Sequence, residues 1–443
     1  MSEQRVASAH LKRKISPPEY YMRPAQKSFI FFLIAAVCVI YLFRFNSVSK
    51  LDIPEGVEVK IRGRITQQPY LKGPYQNIWL GKIFLKTERF PGYFYGERLE
   101  VVGKFERRVI NPFQNQYFAF FPTIRRLDEA QGASLFLSFK YSLFRFRGYL
   151  EQGIAQLLPE PEASLLVGIL LGSKRTLPEK FLQNLRDTGT LHIVVASGYN
   201  LSVVAGFLVS SLVWFVSRKK ALILAFLGVV LYTLMVGAEP PVVRAAIMAS
   251  LAFGAEYLGR MREGLIALAL AAITMLLISP LILFDIGFQL SFLATGGIIL
   301  VHPLLKERRL FRLPLLGEEL ATTLAAQAGV MPIILLNFGN FSFLSPLINA
   351  LVLPLVPLLM NLGAIVAFLG LFIKPLAQLL AWLLWLPLTY FVSLVEMFGS
   401  LSWVNWQIEG LSFWWGVGYY LVLGIILWRA WRRKWNLNQS RLF

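Results

Sequence analysis

Apolar residues run together along the second half of the chain with few interruptions. The stretches 191–216, 221–237, 241–258, 264–281, 286–301, 319–337, 345–372, 376–398 and 412–428 each approach the roughly 20 residues that a helix needs to cross a bilayer. Near the amino end, "SFIFFLIAAVCVIYLF" forms a shorter run over 28–43. No small-residue cleavage site follows it, so it predicts a first span rather than a signal peptide. The expected fold class is a polytopic α-helical membrane protein with about ten transmembrane helices.

The period changes between 44 and 130. "VEVKIRGRI", "NIWLGKIFLK" and "ERLEVVGKFERR" alternate apolar and polar residues, and Gly and Pro punctuate the gaps in "LKGPYQ", "RFPGYFYGE" and "INPFQ". About five short strands with turns between them predict a small extracytoplasmic OB-like β-barrel inserted after the first helix. Lys60, Arg62 and Arg64 alternate on one strand face, and Tyr93, Phe94 and Tyr95 share a turn. Such cations and rings can gather a nucleic-acid strand by charge and stacking, but an ordinary solvated strand face has the same pattern. Residues 131–158 mix aromatics with Lys140, Arg145 and Arg147, which predicts an amphipathic helix in the headgroup region. "EASLLVGILLGS" is too short to cross, and reads as a re-entrant piece or a buried half-helix.

Charge orients this layout. "SRKK" at 217–220, "GRMRE" at 259–263, "HPLLKERRLFR" at 302–312 and "WRAWRRK" at 428–434 fall on one side if the spans alternate. The opposite connections near Glu239 and Asp285 hold no Lys or Arg. Positive loops stay inside, so both termini are expected in the cytoplasm, in a multi-pass protein of the cytoplasmic membrane. The chain then divides into a cytoplasmic basic tail (1–27), a first transmembrane helix (28–43), an OB-like β-domain (44–130), an amphipathic interfacial helix (131–158), a polytopic domain (159–428) and a second cytoplasmic basic tail (429–443).

Composition narrows the chemistry. The 443 residues are 56% hydrophobic and 16% charged, against about a quarter charged in soluble domains. The net charge of +19 exceeds what inside loops require if the basic β-domain lies outside, which points to a polyanionic partner. One cysteine and three histidines allow no intrachain disulfide and none of the common His-rich zinc motifs. No cofactor or metal is expected, and no GxxxxGK[ST] phosphate loop occurs.

Polar groups inside a bilayer mark interior positions or pathways. "TGTLHIVVASGYNL" carries His192, Ser197, Gly198 and Asn200. Ser197 and Asn200 share a helix face, and Gly198 permits close approach or a break. "EPPVVRAAIM" holds Arg244, "DIGFQLSFLATGG" holds Asp285, Gln289 and Ser291, and "SPLINALVLP" sets Asn349 between two prolines. These nine residues are the candidate pore-lining set. Small and amide residues also act as packing glue between helices, which suits Ser197 and Gly198 well.

The same stretches carry a family resemblance. "TGTLHIVVASGYNLSVVAG" resembles the "GxxHLLAISGxH" signature of the ComEC family, the membrane channel for DNA uptake in bacterial competence. "PPVVRAAIM", "DIGFQLSFLAT" and "LINALVLPLVPLL" are similar to further motifs of that family, in the same order, over 159–357. The resemblance places His192, Ser197, Gly198, Arg244, Gln289 and Ser291 at family motif positions. It departs at Asn200, where the family often has a second histidine. Many members also end in a metallo-β-lactamase-like nuclease domain, for which this sequence holds no His-rich motif. The resemblance therefore implies a channel domain without the strand-degrading module.

Three functions compete at this level. The first is passage of single-stranded DNA across the cytoplasmic membrane, with a separate nuclease, an ATP-driven helicase and further copies of the chain as candidate partners beside the lipid bilayer. The second is a membrane-embedded serine hydrolase using Ser197 and His192. GxSxG is absent, and on a straight helix the two side chains lie about 140° apart. The third is a transporter of a small solute or lipid-linked substrate, for which broken helices would serve equally.

Overall fold

The computed structural model describes residues 37–47, 53–111, 114–127, 135–173, 177–195, 197–259, 263–308, 311, 316–401, 405–408 and 410–440. The expected amino-terminal tail lies outside them, as does the first part of the expected first span.

Eight strands follow the helical segment α1 (Val37–Asn46). They are β1 (Glu58–Arg64), β2 (Tyr70–Lys72), β3 (Tyr75–Leu80), β4 (Ile83–Glu88), β5 (Arg98–Lys104), β6 (Glu106–Asn111), β7 (Gln114–Phe120) and β8 (Thr123–Arg126). They form two sheets, in the orders β1-β5-β8 and β2-β3-β4-β7-β6. All neighbours are antiparallel except β4 and β7. The alternation seen in the sequence sends Ile65, Ile78, Leu85, Leu99, Val101 and Tyr117 into a common core. The expected closed barrel is not found. Strands that run on in the chain change sheets instead, and the ladders break at the bends. Phe105 alone separates β5 from β6, and Phe121, at φ +52°, and Pro122 separate β7 from β8.

The helical region begins with α2 (Leu135–Leu157) and continues through α3 (Glu162–Leu171), α4 (Glu179–Asp187), α5 (Leu191–Val194), α6 (Gly198–Leu212), α7 (Arg218–Val236), α8 (Pro240–Tyr257) and α9 (Gly264–Ile278). It ends with α10 (Ile286–Leu305), α11 (Gly317–Phe338), α12 (Ser345–Val352), α13 (Val356–Leu369), α14 (Lys374–Gly399) and α15 (Phe413–Ser440). Among the described residues six helices are long and apolar enough to cross a membrane: α7, α10, α11, the joined pair α12–α13, α14 and α15.

Four of the ten expected spans fall short of that standard for separate reasons. Only part of 28–43 is described. The run 191–216 is cut into α5 and α6. Helix α8 carries Arg244 and Glu256. Helix α9 has 15 residues, about 22 Å at 1.5 Å per residue, against a hydrocarbon core near 30 Å.

Helix α2 differs from the expected interfacial helix over its second half. Its exposed side shows Phe139, Tyr141, Phe146 and Tyr149, but Leu150, Ile154 and Leu157 are buried in the main helical core. Arg147 turns inward, pairs with Glu151 at 2.9 Å, and donates to the Met235 and Val236 carbonyls at the end of α7. All ten residues of α3 are buried, so the short apolar run is a buried half-helix, packed against α13 and α14.

Helices α10 and α11 meet through glycines. A Cβ on Gly297 would lie 2.4 Å from the Ala325 carbonyl oxygen, and one on Gly329 would lie 2.2 Å from that of Leu293. Small residues let backbones approach where no hydrophobic driving force separates helix from lipid. Gly329→Val is expected to destabilise the protein by about 1–3 kcal/mol, the usual range for overpacking. Gly296→Ala, which meets nothing within 4 Å, is expected to be neutral. Thermal unfolding in detergent separates the two, and equal midpoints would contradict the packing described.

Candidate functional site

The site grows from the break between α5 and α6. Thr188 and Thr190 are fully buried and their hydroxyls lie 2.8 Å apart. Gly189 between them has φ +69°, and a Cβ there would fall 2.6 Å from Ser345 Oγ on α12. Only glycine suits both the backbone angle and the gap. The Gly189 carbonyl accepts a 2.9 Å hydrogen bond from His192 Nδ1. This bond leaves Nε2 of the neutral ring as the free acceptor. The His192 ring is accessible although protein crowds it.

Helix α5 ends after one turn because Ser197 starts a new helix. Its backbone is extended, at φ −121° and ψ 165°, and its Oγ accepts from the Asn200 N–H at 3.2 Å. This is an N-cap, a local side-chain bond that competes with continuing the helix. Asn200, expected in the pore lining, is fully buried. Its Nδ2 donates to the Ile169 carbonyl at 3.0 Å and the Ile193 carbonyl at 3.2 Å, and its Oδ1 accepts from Ser197 Oγ at 3.1 Å. The amide therefore ties α3, α5 and α6 together and has no face left for a passage.

Arg244 lies one turn into α8 and is 8% exposed. Its Nε donates to Ser291 Oγ at 2.5 Å, its Nη1 reaches Met248 Sδ at 3.4 Å, and its Cζ lies 6.0 Å from the Phe292 ring centre. Its Nη2 points at α6, where a Cβ on Gly198 would come within 2.7 Å. Gly198, Arg244 and Ser291, three candidates from three distant motifs, thus converge.

The other candidates take local roles. Asp285 Oδ1 caps α10 by accepting from the Phe288 N–H at 2.8 Å, and Gln289 Nε2 donates to the Leu283 carbonyl at 3.0 Å. Asn349 is 1% exposed and its Nδ2 donates to Ser345 Oγ at 3.0 Å, while its buried Oδ1 has no partner among the described residues. Through Ser345 it belongs with Gly189 and His192 rather than with Arg244. Ser197 and His192 are committed elsewhere, and no hydrogen bond joins them among the described residues. Gly189 and Ser345 were missed in the sequence, where the only signal was a glycine between two threonines.

In the β-domain, Lys60 and Arg62 both reach Glu100 at 2.7 Å. Hydrogen bonds from Lys60 and then Arg62 hold that carboxyl below its ordinary range. Arg64 faces Arg98 across the β1–β5 ladder, a pairing of like charges. The three expected stacking rings separate. Tyr93 and Tyr95 are buried at 5% and 9% exposure, and Tyr95 packs edge-on against Phe144 of α2. Phe94 is 56% exposed, so of the three it alone offers a face for stacking. Phe90, Phe120 and Phe121 are also exposed.

The family described as "Competence protein" matches residues 169–433. ComE operon protein 3 of Bacillus subtilis (strain 168) is 29% identical over 218 residues, which cover 49% of this chain and 28% of that protein. An uncharacterized protein of Aquifex aeolicus (strain VF5) is 32% identical over 188 residues, covering 42% of each chain. The uncharacterized protein YcaI of Escherichia coli (strain K12) is 24% identical over 220 residues, 47% of this chain and 29% of that protein. The chain thus spans less than half the length of each of these relatives. No solved structure matches.

Asn200→Ala is expected to orphan the Ile169 and Ile193 carbonyls and lower stability by about 1–3 kcal/mol for each. Asn200→Asp is expected to be at least as damaging, because it sets a buried carboxylate against two carbonyl oxygens. Thermal unfolding and folded yield check both, and wild-type stability in either would show that the amide does not hold the break together.

Proposed function

The chain belongs to the Competence protein family, and from that premise we propose that it is a conduit for single-stranded DNA across the cytoplasmic membrane. The observation that carries this reading is the meeting of Gly198, Arg244 and Ser291 at a helix break inside the region matched to the family. A buried cation beside an interrupted helix suits an anionic group travelling through a bundle, as broken helices in transporters suit charged substrates. His192 supplies a second polar wall, accessible and with a free ring nitrogen.

The β-domain supports the same reading. Its strands pair in the orders β1-β5-β8 and β2-β3-β4-β7-β6, and two of them continue across a bend into the other sheet. This supports the reading of an OB-like domain, a fold suited to oligonucleotides, without a closed barrel. Arg64 and Arg98 repel each other unless an anion joins them, and exposed Phe90, Phe94, Phe120 and Phe121 offer stacking faces. Such an outer collecting surface favours a polymer over a small solute. A separate nuclease and an ATP-driven helicase would act on either side. The hydrolase reading gains nothing, since Ser197 serves as a helix cap.

Deleting the gene in its host is expected to abolish uptake of labelled DNA, and the intact chain is expected to restore it. Unchanged transformation on deletion would end this reading. A second outcome concerns the collecting surface. Glu100 competes with phosphates for Lys60 and Arg62. Glu100→Gln is therefore expected to tighten oligonucleotide binding by the full chain roughly threefold to tenfold at low salt, with the gain fading as salt rises. As pH falls through the lowered Glu100 range the carboxylate protonates and releases the two cations, so wild-type binding is expected to approach that of the variant. Equal affinity at every pH would remove Lys60 and Arg62 from the interface.

A further inference from the structure

Among the described residues two arginines are buried in the helical region, and their settings are opposite. Arg147 has a carboxylate partner in Glu151 and donates to carbonyls at the C-terminal end of α7, where a helix carries partial negative charge. Arg244 has no carboxylate partner among the described residues. It sits instead where three helices begin. It lies in the opening turns of α8, its Nη2 faces the first residue of α6, and its Nε binds Ser291 near the start of α10. Helix starts carry partial positive charge, so this cation lies where cations are least favoured.

The hydrogen-bonding groups at these starts are unequally used. Pro240 and Pro241 remove two donors from α8, and Asp285 caps α10. At α6 the Ser197 hydroxyl takes the Asn200 N–H, while the N–H groups of Gly198 and Tyr199 have no intrahelical acceptor. Nη2 of Arg244 has no hydrogen-bond partner among the described residues and lies beside Gly198, 2.7 Å from where a Cβ would stand. Gly198 and Tyr199 are partly exposed, so the locus is open on the α6 side. The missing Cβ of Gly198 makes the space into which the guanidinium reaches.

We propose that Arg244 Nη2 and the N–H groups of Gly198 and Tyr199 form a binding station for one phosphodiester of the passing strand. A phosphate oxygen there accepts from the guanidinium and from the helix start together, a pairing that both groups favour. Ser291 positions the guanidinium by holding Nε. The proposal rests on the channel reading for the source of the phosphate.

The test uses full-length protein in a phosphate-free maltoside detergent. Inorganic phosphate, against chloride at matched ionic strength, is expected to raise the wild-type thermal midpoint by linkage. An oligodeoxythymidine is expected to displace the phosphate. Arg244→Gln and Gly198→Ala are expected to lose the response, and Arg244→Lys to keep part of it. Ser291→Ala, which leaves α6 untouched, is expected to weaken phosphate binding on the order of tenfold, and it serves if Gly198→Ala does not fold. A folded Arg244→Gln protein that responds as wild type does would overturn the station, as would a wild type that does not respond, or a response the oligomer cannot compete away. DNA uptake in the deletion strain is read separately, so failure of the channel reading and failure of the station are told apart.

Discussion

A helix interrupted inside an apolar bundle leaves amide and carbonyl groups with no water to meet them, and each such group costs several kcal/mol if left alone. The break between α5 and α6 meets this constraint with side chains. Ser197 takes one amide at the start of α6, and Asn200 takes a carbonyl from each of α3 and α5. Those bonds let α6 begin inside the protein. Once it begins there, its first residue, Gly198, stands beside the Arg244 guanidinium. The polar character of the site is thus a consequence of how the break is made stable.

Six of the ten expected spans were legible in the sequence because a long apolar run is a matter of local pattern. Long apolar runs gave six helices of crossing length, and Pro354 marks a 3-10 turn between α12 and α13. Partners were less legible. Asn200 reads as a polar residue in grease whether it lines a passage or bonds two carbonyls, and only the position of Ile169, thirty-one residues away, decides. Tyr93 and Tyr95 read as turn aromatics until Gln76 is seen to pin the backbone of one and Phe144 to cover the ring of the other. Gly189 gave no sign of its close approach to Ser345. Where a role depended on distant elements, spacing along the chain could not specify it.

Charge is handled differently in the two halves of the protein. In the β-domain, Glu100 moderates two cations that remain largely exposed, at 54% and 66% of their side-chain surface. Contacts of this kind are weak and yield to salt. In the bundle, Arg244 is largely buried and has no acid beside it among the described residues, so its field is screened little. Under the proposed channel reading, the β-domain surface would gather a strand loosely and the buried position would hold one charge in a defined place.

Conduction sets an upper limit on how strong the inner position can be. A group that moves through must enter favourably and still leave, so several modest sites serve better than one deep one. One guanidinium already held by Ser291, with two helix-start amides, would make the proposed station a site of modest depth. The His192 ring, bonded to the Gly189 carbonyl, can share a hydrogen bond without adding a fixed charge. On the proposed channel reading, the neutral residues around the break therefore matter to passage as much as the arginine does.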